Sequence, residues 1–460
     1  MSLLAAAGEA TVVNVLDTYR AEVQQSLDDA ARSRPAGGDF DPGWDLPEDG
    51  EALRRFWSVA EMAAVDLGTY LGRRLTLLDL MRNPGTRTTK TLASLVMVAR
   101  AAAFVRRTGE PVMIVTPSSA NKATALRDAV LRAVESGLVT PDELRIAIVV
   151  PAASTGKLWG SALCDDPELA ARNPVFVHGG PERAGVKAVA REFVDRHAGE
   201  VLDRCGVHLW YTLDLANYMV ADATRALFER DAMPAPPDGG RLHAHAVSSA
   251  FGLLGHHLGH TSFCAGRPDP RYFLVQHLDT PDMVLSLYTG STSRQGIPAY
   301  DYDETSGLYR QDADPHFPAL TFDPDETLET TFYTHQPPTS EEMNRLIRSR
   351  GGGGIVVSLA ECLRRYGEVR RLLGLAGVAV PADPRRVREW SLVMAVTGVL
   401  NAIDRGLVPD GDDVLVHGSG CYADDQYEPI PAGCRTSVAT AADLRDTVLA
   451  AAARREGGSP

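Results

Sequence analysis

The chain has 460 residues, 44% of them hydrophobic and 23% charged, so it can bury a sizeable core and is predicted to fold as two or three domains. A formal net charge of −14 argues against a nucleic-acid or anionic-membrane partner, because both require a dense basic face. No uninterrupted apolar run reaches the roughly 18 residues of a membrane span, and the N-terminal stretch lacks the basic start of a signal peptide.

Residues 1–75 carry mostly helical spacing, broken by the loop RPAGGDFDPGWDLPEDG, and are expected to form a helical extension. After Lys90 the rhythm changes. TLASLVMVARAAAFVRRTG is a helix ending on Gly109, PVMIVTP a strand, SSANKATALRDAVLRAVESG a helix opened by serines, and LRIAIVVP the next strand. NPVFVHGG, AGVKAVAREFVDRHAG and VHLWYTL repeat the alternation, which indicates βαβ units and a mainly parallel sheet. Residues 266–340 are rich in Pro, Asp, Tyr and Gly, and are expected to be an insertion that could cover a site. The α/β pattern returns in GGIVVS, LAECLRRYGEVRRLLGLAG, RVREWSLVMAVTGVLNAIDRG and DVLVHGSG. The predicted fold is therefore α/β with parallel sheets. Its core would be 76–265 with 341–440, containing a smaller subdomain near 91–200, and 441–460 would add a terminal helix and tail. The six cysteines include no Cys-x-x-Cys pair, as expected of reduced thiols in a cytoplasmic protein.

Lysine is scarce. Of 46 basic residues only Lys90, Lys122, Lys157 and Lys187 are lysines. Arginine replaces lysine on a solvated surface, but not where a neutral amine must react. Lys90, in NPGTRTTK, is therefore a candidate for Schiff-base chemistry, with Lys122 as its rival. Ser118, Ser119 and Asn121, where a strand meets a helix, could bind a carboxylate through the first-turn N–H groups, or could simply cap the helix. Ser248, Ser249, Gly252 and Gly255 in VSSAFGLLGHHLGH could cradle a phosphate, and VLVHGSG ends a strand at Gly418, Ser419 and Gly420. His243, His245, His256, His257 and His260 crowd 18 residues, but without an H-E-x-x-H pattern no metal site is expected. The four glycines of RSRGGGG precede a strand and not a helix, so they are read as a flexible lead-in.

In this order the segments resemble the fold-type II pyridoxal-phosphate (PLP) enzymes, specifically the threonine synthase-like branch. That family has an N-P-T-G-S-F-K-D-R lysine segment, an S-S-G-N loop, a glycine-rich phosphate loop and a strand ending in T-G-x-G. YTLDLANYMVADATRALFE and GGIVVSLAECLRRYGEVRRLLGLAG are similar to further family segments. The resemblance implies a two-domain tryptophan synthase β-like fold, PLP as cofactor, a small amino-acid substrate and a homodimer. Lys90 would hold the cofactor and shuttle the Cα proton. Asn121 would meet the cofactor's 3-hydroxyl, Ser248, Ser249, Gly252 and Gly255 its phosphate, and His417 or Ser419 its pyridine nitrogen. Thr86, Ser118, Ser119 and Lys122 would contact substrate. The implied chemistry is a lyase or transferase reaction, Cα deprotonation followed by elimination or replacement at Cβ or Cγ. Departures from the family pattern fall at Thr89, Ala120, Phe251 and His417. They leave open a PLP-fold protein that binds without turnover, and a transferase using no PLP is a third alternative.

Overall fold

The computed structural model describes residues 3–6, 9–33, 38–180, 185–235 and 240–454. Four strands open the chain, β1 (Leu3–Ala6), β2 (Glu9–Val12), β3 (Met62–Tyr70) and β4 (Arg73–Asp79). Then β5 (Val112–Pro117), β6 (Leu144–Pro151), β7 (Val175–His178) and β8 (His208–Tyr211) alternate with helices. After them come β9 (Arg241–Ala246), β10 (Arg271–His277) and the short β11 (Asp301–Asp303), β12 (Leu308–Arg310) and β13 (Leu320–Thr321). β14 (Gly352–Val357), β15 (Val387–Glu389), β16 (Asp413–His417), β17 (Tyr422–Ala423) and β18 (Arg435–Val438) complete the set.

Two large sheets hold most of these strands, and β15 with β17 forms a separate antiparallel pair. The larger runs β1-β2-β3-β4-β16-β9-β10-β14, antiparallel through β4 and parallel from there onward. The smaller runs β18-β7-β6-β5-β8 and is parallel throughout. Every residue of β5, β6 and β9 is buried, as strands covered by helices on both faces must be. No helix among the described residues is long and apolar enough to cross a membrane. No disulfide joins the six cysteines.

Three stretches differ from the sequence expectation. The first 75 residues are not only helical, because β3 pairs antiparallel with β4 and β2 antiparallel with β3, extending the large sheet. Leu71 (φ 43°) and Gly72 (φ 80°) form the β3–β4 hairpin turn, and a leucine at the first left-handed position hides that signal. The expected insertion begins too early. RYFLVQH is β10, a core strand between β9 and β14, and its near-continuous burial removes the period-two signature of a strand. The small β11-β12-β13 sheet lies farther along the same stretch. The glycines of RSRGGGG are not a lead-in either. Gly352, Gly353 and Gly354 lie within β14, where a Cβ on Gly352 would collide with the Tyr272 carbonyl oxygen of β10.

Candidate active site

A cavity of about 300 Å³ opens between the two sheets, walled by residues at the carboxyl ends of their strands: Pro117 and Ser118 from β5, Ala246 and Val247 from β9, Ser419 beyond β16. Open α/β sheets bind ligands in that crevice. Lys90 reaches it as the first residue of the helix Lys90–Thr108. The preceding loop is stitched to the β16 end. Thr88 bridges Gly420, the Thr89 N–H donates to the Ser419 carbonyl at 2.9 Å, and Arg87 takes up a left-handed turn (φ 45°). The Lys90 amine stands 5.7 Å from the centre of the Tyr218 ring. Burial pushes its pKa down and Arg225 adds to this, against the opposing charge of Asp222. A neutral amine is therefore accessible there.

All four lysines gather at this place. Lys122 lines the cavity, donates to the Thr212 carbonyl at 2.7 Å and lies 5.5 Å from the centre of the same Tyr218 ring. Burial, then Lys90 and Lys187, depress it to about 7. Lys187 lies on the wall with its amine 5.0 Å from the Tyr333 ring centre. Lys157 sits just behind Asn121, paired with Glu329 and Glu389. The buried arginines serve differently: Arg127 and Arg145 donate to backbone carbonyls of Asn173, Leu163 and Ala452. No Asp or Glu is among the described residues lining the cavity, so its field selects an anionic ligand.

The helix Phe251–Phe263 presents its N-terminus to the same cavity, preceded by Ser248, Ser249 and Ala250, the last left-handed at φ 49°. Gly252 lines the cavity, and a Cβ there would lie 2.6 Å from the Arg225 guanidinium. The cradle is thus both glycine-lined and backed by a cation. His245 forms part of the same wall. It is 6% exposed, and neither ring nitrogen has a hydrogen-bond partner among the described residues. Burial, Arg225 and Lys90 hold it well below its usual range, so it is a neutral ring.

Of the residues singled out from sequence, Lys90, Ser118, Ser119, Asn121, Lys122, Ser248, Ser249, Gly252 and Ser419 line the cavity. Three do not. Thr86 is buried with its hydroxyl 2.7 Å from that of Thr91, because the loop turns it inward. Gly255 is a packing glycine, where a Cβ would collide with that of Asp222 on the neighbouring helix. His417 is fully buried and meets Arg225, whereas Ser419, the alternative expected beside it, lines the cavity. Asn121 is present but largely committed: Nδ2 donates to Glu389 at 2.8 Å and Oδ1 accepts from the Tyr422 hydroxyl at 3.0 Å. Sequence reading missed His245, Lys187, Tyr218 and the stretch Thr331 to Thr334. The alternation in RLHAHA and the scarcity of lysine were the signals that could have found the first two.

The histidine cluster is wired to this wall. Arg225 has only donors, so His417 Nδ1 accepts from it at 3.1 Å. His417 Nε2 then donates to His243 Nδ1 at 3.0 Å, which leaves an N–H on His243 Nε2 facing Glu229 at 3.5 Å. Glu229, His243 and His256 bring ligand-type atoms within 4.8 Å of one another. With the proton on Nε2, His243 Nε2 has no hydrogen-bond partner among the described residues. His260 turns away to the Pro268 carbonyl at 3.1 Å.

A family model described as a family of unknown function (DUF6002) matches residues 11–452. The chain belongs to this family. No curated protein matches it in sequence. Among solved structures, it is similar to the PLP-bound threonine synthase from Brucella melitensis, with a TM-score of 0.50 and 12% identity over 82% of this chain and 78% of that one. It is also similar to the L-serine ammonia-lyase from the fungus Rhizomucor miehei, with a TM-score of 0.50 and 15% identity over 78% and 93% of the two chains. The DUF6002 chain therefore has the two-domain, threonine synthase-like architecture of the fold-type II PLP enzymes. Its own residues suit that cofactor: an amine with depressed pKa, an anion cradle in the same cavity, and an unpartnered neutral histidine between cradle and strand end.

Proposed function

We propose that this protein is a PLP-dependent enzyme that acts on a small amino acid by elimination or replacement at Cβ or Cγ. The observation that carries the reading is a single cavity lined by the partly buried Lys90 and by a glycine-bearing helix N-terminus, with lysines and no carboxylate among the described residues of its wall. Lys90 would hold the cofactor aldehyde, and Ser248, Ser249 and the first-turn N–H groups at Gly252 its phosphate. When bound, the cofactor supplies an electron sink for charge left at Cα.

The remaining work falls to the chain. Lys90, neutral once desolvated, takes the proton from substrate Cα and can return it to the same face. Lys122 and the Ser118–Ser119 helix start hold the substrate carboxylate, so that this Cα–H points at Lys90. Tyr218, packed against both amines, fixes their separation and keeps water from them. The wall at Thr331 to Thr334 closes the far side, and the side chain at Cβ or Cγ would lie there.

The decisive measurement is absorbance. Protein reconstituted with PLP should show a band beyond the aromatic region, and Lys90→Ala should abolish it while Lys122→Ala keeps it. A colourless reconstituted protein would sink the reading. The non-catalytic alternative draws on one observation, the commitment of Asn121 to Glu389 and Tyr422. Exchange of amino-acid Cα protons into deuterated solvent separates the two: an inert binder gives none.

A further inference from the structure

Behind Asn121, one lysine serves two carboxyl groups. The side chains of Glu329 and Glu389 are fully buried, and Lys157 is 13% exposed. Lys157 Nζ bonds Glu329 and lies 3.4 Å from Glu389 Oε2. One positive charge does not offset two negative ones where both carboxyl groups are closed off from solvent, so at rest one of them keeps its proton.

Hydrogen-bond directions say which. Glu329 has the closer obligatory donors: Lys157 and the Thr331 N–H at 2.9 Å on Oε1, beside the Thr331 hydroxyl at 2.8 Å, and the Trp390 N–H at 2.9 Å on Oε2. Both oxygens are filled by donors, as a carboxylate requires. At Glu389, Oε2 takes the Asn121 amide and Lys157, whereas Oε1 meets a backbone N–H at 3.3 Å and the Ser391 hydroxyl, which can accept. Ser391 lines the cavity.

We propose that Glu389 is a neutral carboxylic acid with its proton on Oε1, and that Ser391 relays this proton into the cavity. The role in catalysis rests on the proposed function above. In the step, the Glu389 O–H bond breaks as Ser391 Oγ takes that proton. The Ser391 O–H bond breaks as a departing substrate oxygen takes the other, and that oxygen leaves carbon with the bonding electron pair. The Glu389 carboxylate so formed is transient, held by the Asn121 amide and Lys157, and it takes a proton back from solvent through Ser391 once the leaving group has gone. The titration directions agree: burial and the charge of Glu329 raise Glu389, while at Glu329 burial is outweighed by Lys157 and the N–H donors. Ser391 is the group that touches substrate, and Glu389 acts through it.

Infrared spectroscopy of the full chain tests this without turnover. At neutral pH the wild type should show a protonated-carboxyl band that Glu389→Gln removes. Ser391→Ala should keep the band but slow its exchange in deuterated water by roughly tenfold or more, since access would then need local opening. Glu389→Gln mimics the neutral acid, so it should melt close to wild type and well above Glu329→Gln. A wild type without the band, a band surviving Glu389→Gln, unchanged exchange in Ser391→Ala, or equal melting losses in the two glutamine variants would each overturn the proposal. Reconstitution with PLP runs in parallel. A missing cofactor band with the carboxyl band intact would defeat the enzymatic reading alone.

Discussion

Lys122 and Lys157 are buried at the same corner of the molecule, yet they are driven in opposite directions. In the cavity wall, Lys122 has a backbone carbonyl and two other lysines for company, and it falls to about 7. Behind that wall, burial also works against the charge of Lys157, but the Glu329 carboxylate outweighs it and raises its pKa. Burial alone therefore does not set the state of a lysine. The neighbouring carboxylate decides it, and it is kept behind Asn121. The outcome is a reactive, anion-attracting cavity next to a locked ion cluster.

Lys90→Ala should have the largest effect on this contrast, removing the cofactor absorbance of reconstituted protein altogether. Glu329→Gln attacks the locked side. The N–H groups of Trp390 and Thr331 would then face an amide in place of a carboxylate, and thermal or urea melts should show a loss of about 3 kcal/mol. Gly252→Ala pushes a methyl group into the Arg225 guanidinium and should cost about 1–3 kcal/mol in the same melts, with the Thr89 and His417 contacts of Arg225 disturbed.

The Lys122 side should appear in pH dependence. Below about pH 7 the amine is charged in both folded and unfolded chains and contributes no slope. Above that and up to the ordinary lysine value of 10.5, the unfolded chain binds the extra proton, so stability rises with pH. One such group adds at most about 1.4 kcal/mol per pH unit. Lys122→Met should flatten that rise and leave the acid side of the curve unchanged in slope. Ala120→Gly is the smallest expected change and has the opposite sign. Ala120 sits at φ 137°, a region suited to glycine, so relief should add about 1 kcal/mol of stability.

Much of the site was legible because its signals are local. Lysine scarcity marked Lys90 and Lys122, serines before helices marked Ser118, Ser119, Ser248 and Ser249, and these all line one cavity. His417 and Gly255 misled because equivalent motif positions were assumed to face the same way, whereas packing turned one into a histidine chain and the other against a helix. Glu329, Glu389 and Lys157 carry no local mark. Lys157 stands 172 residues before Glu329 and 232 before Glu389, and the three meet only through the fold.

By itself, the sequence determined the α/β alternation, the start of each cavity-facing helix and the identity of the four amines, since these depend on periodicity, capping and residue chemistry over a few neighbours. The tertiary structure decided which amines meet carboxylates, which carboxyl retains a proton and which tautomer each histidine holds. Those outcomes depend on distances of a few ångströms between segments remote in the chain, and on water being excluded where they meet.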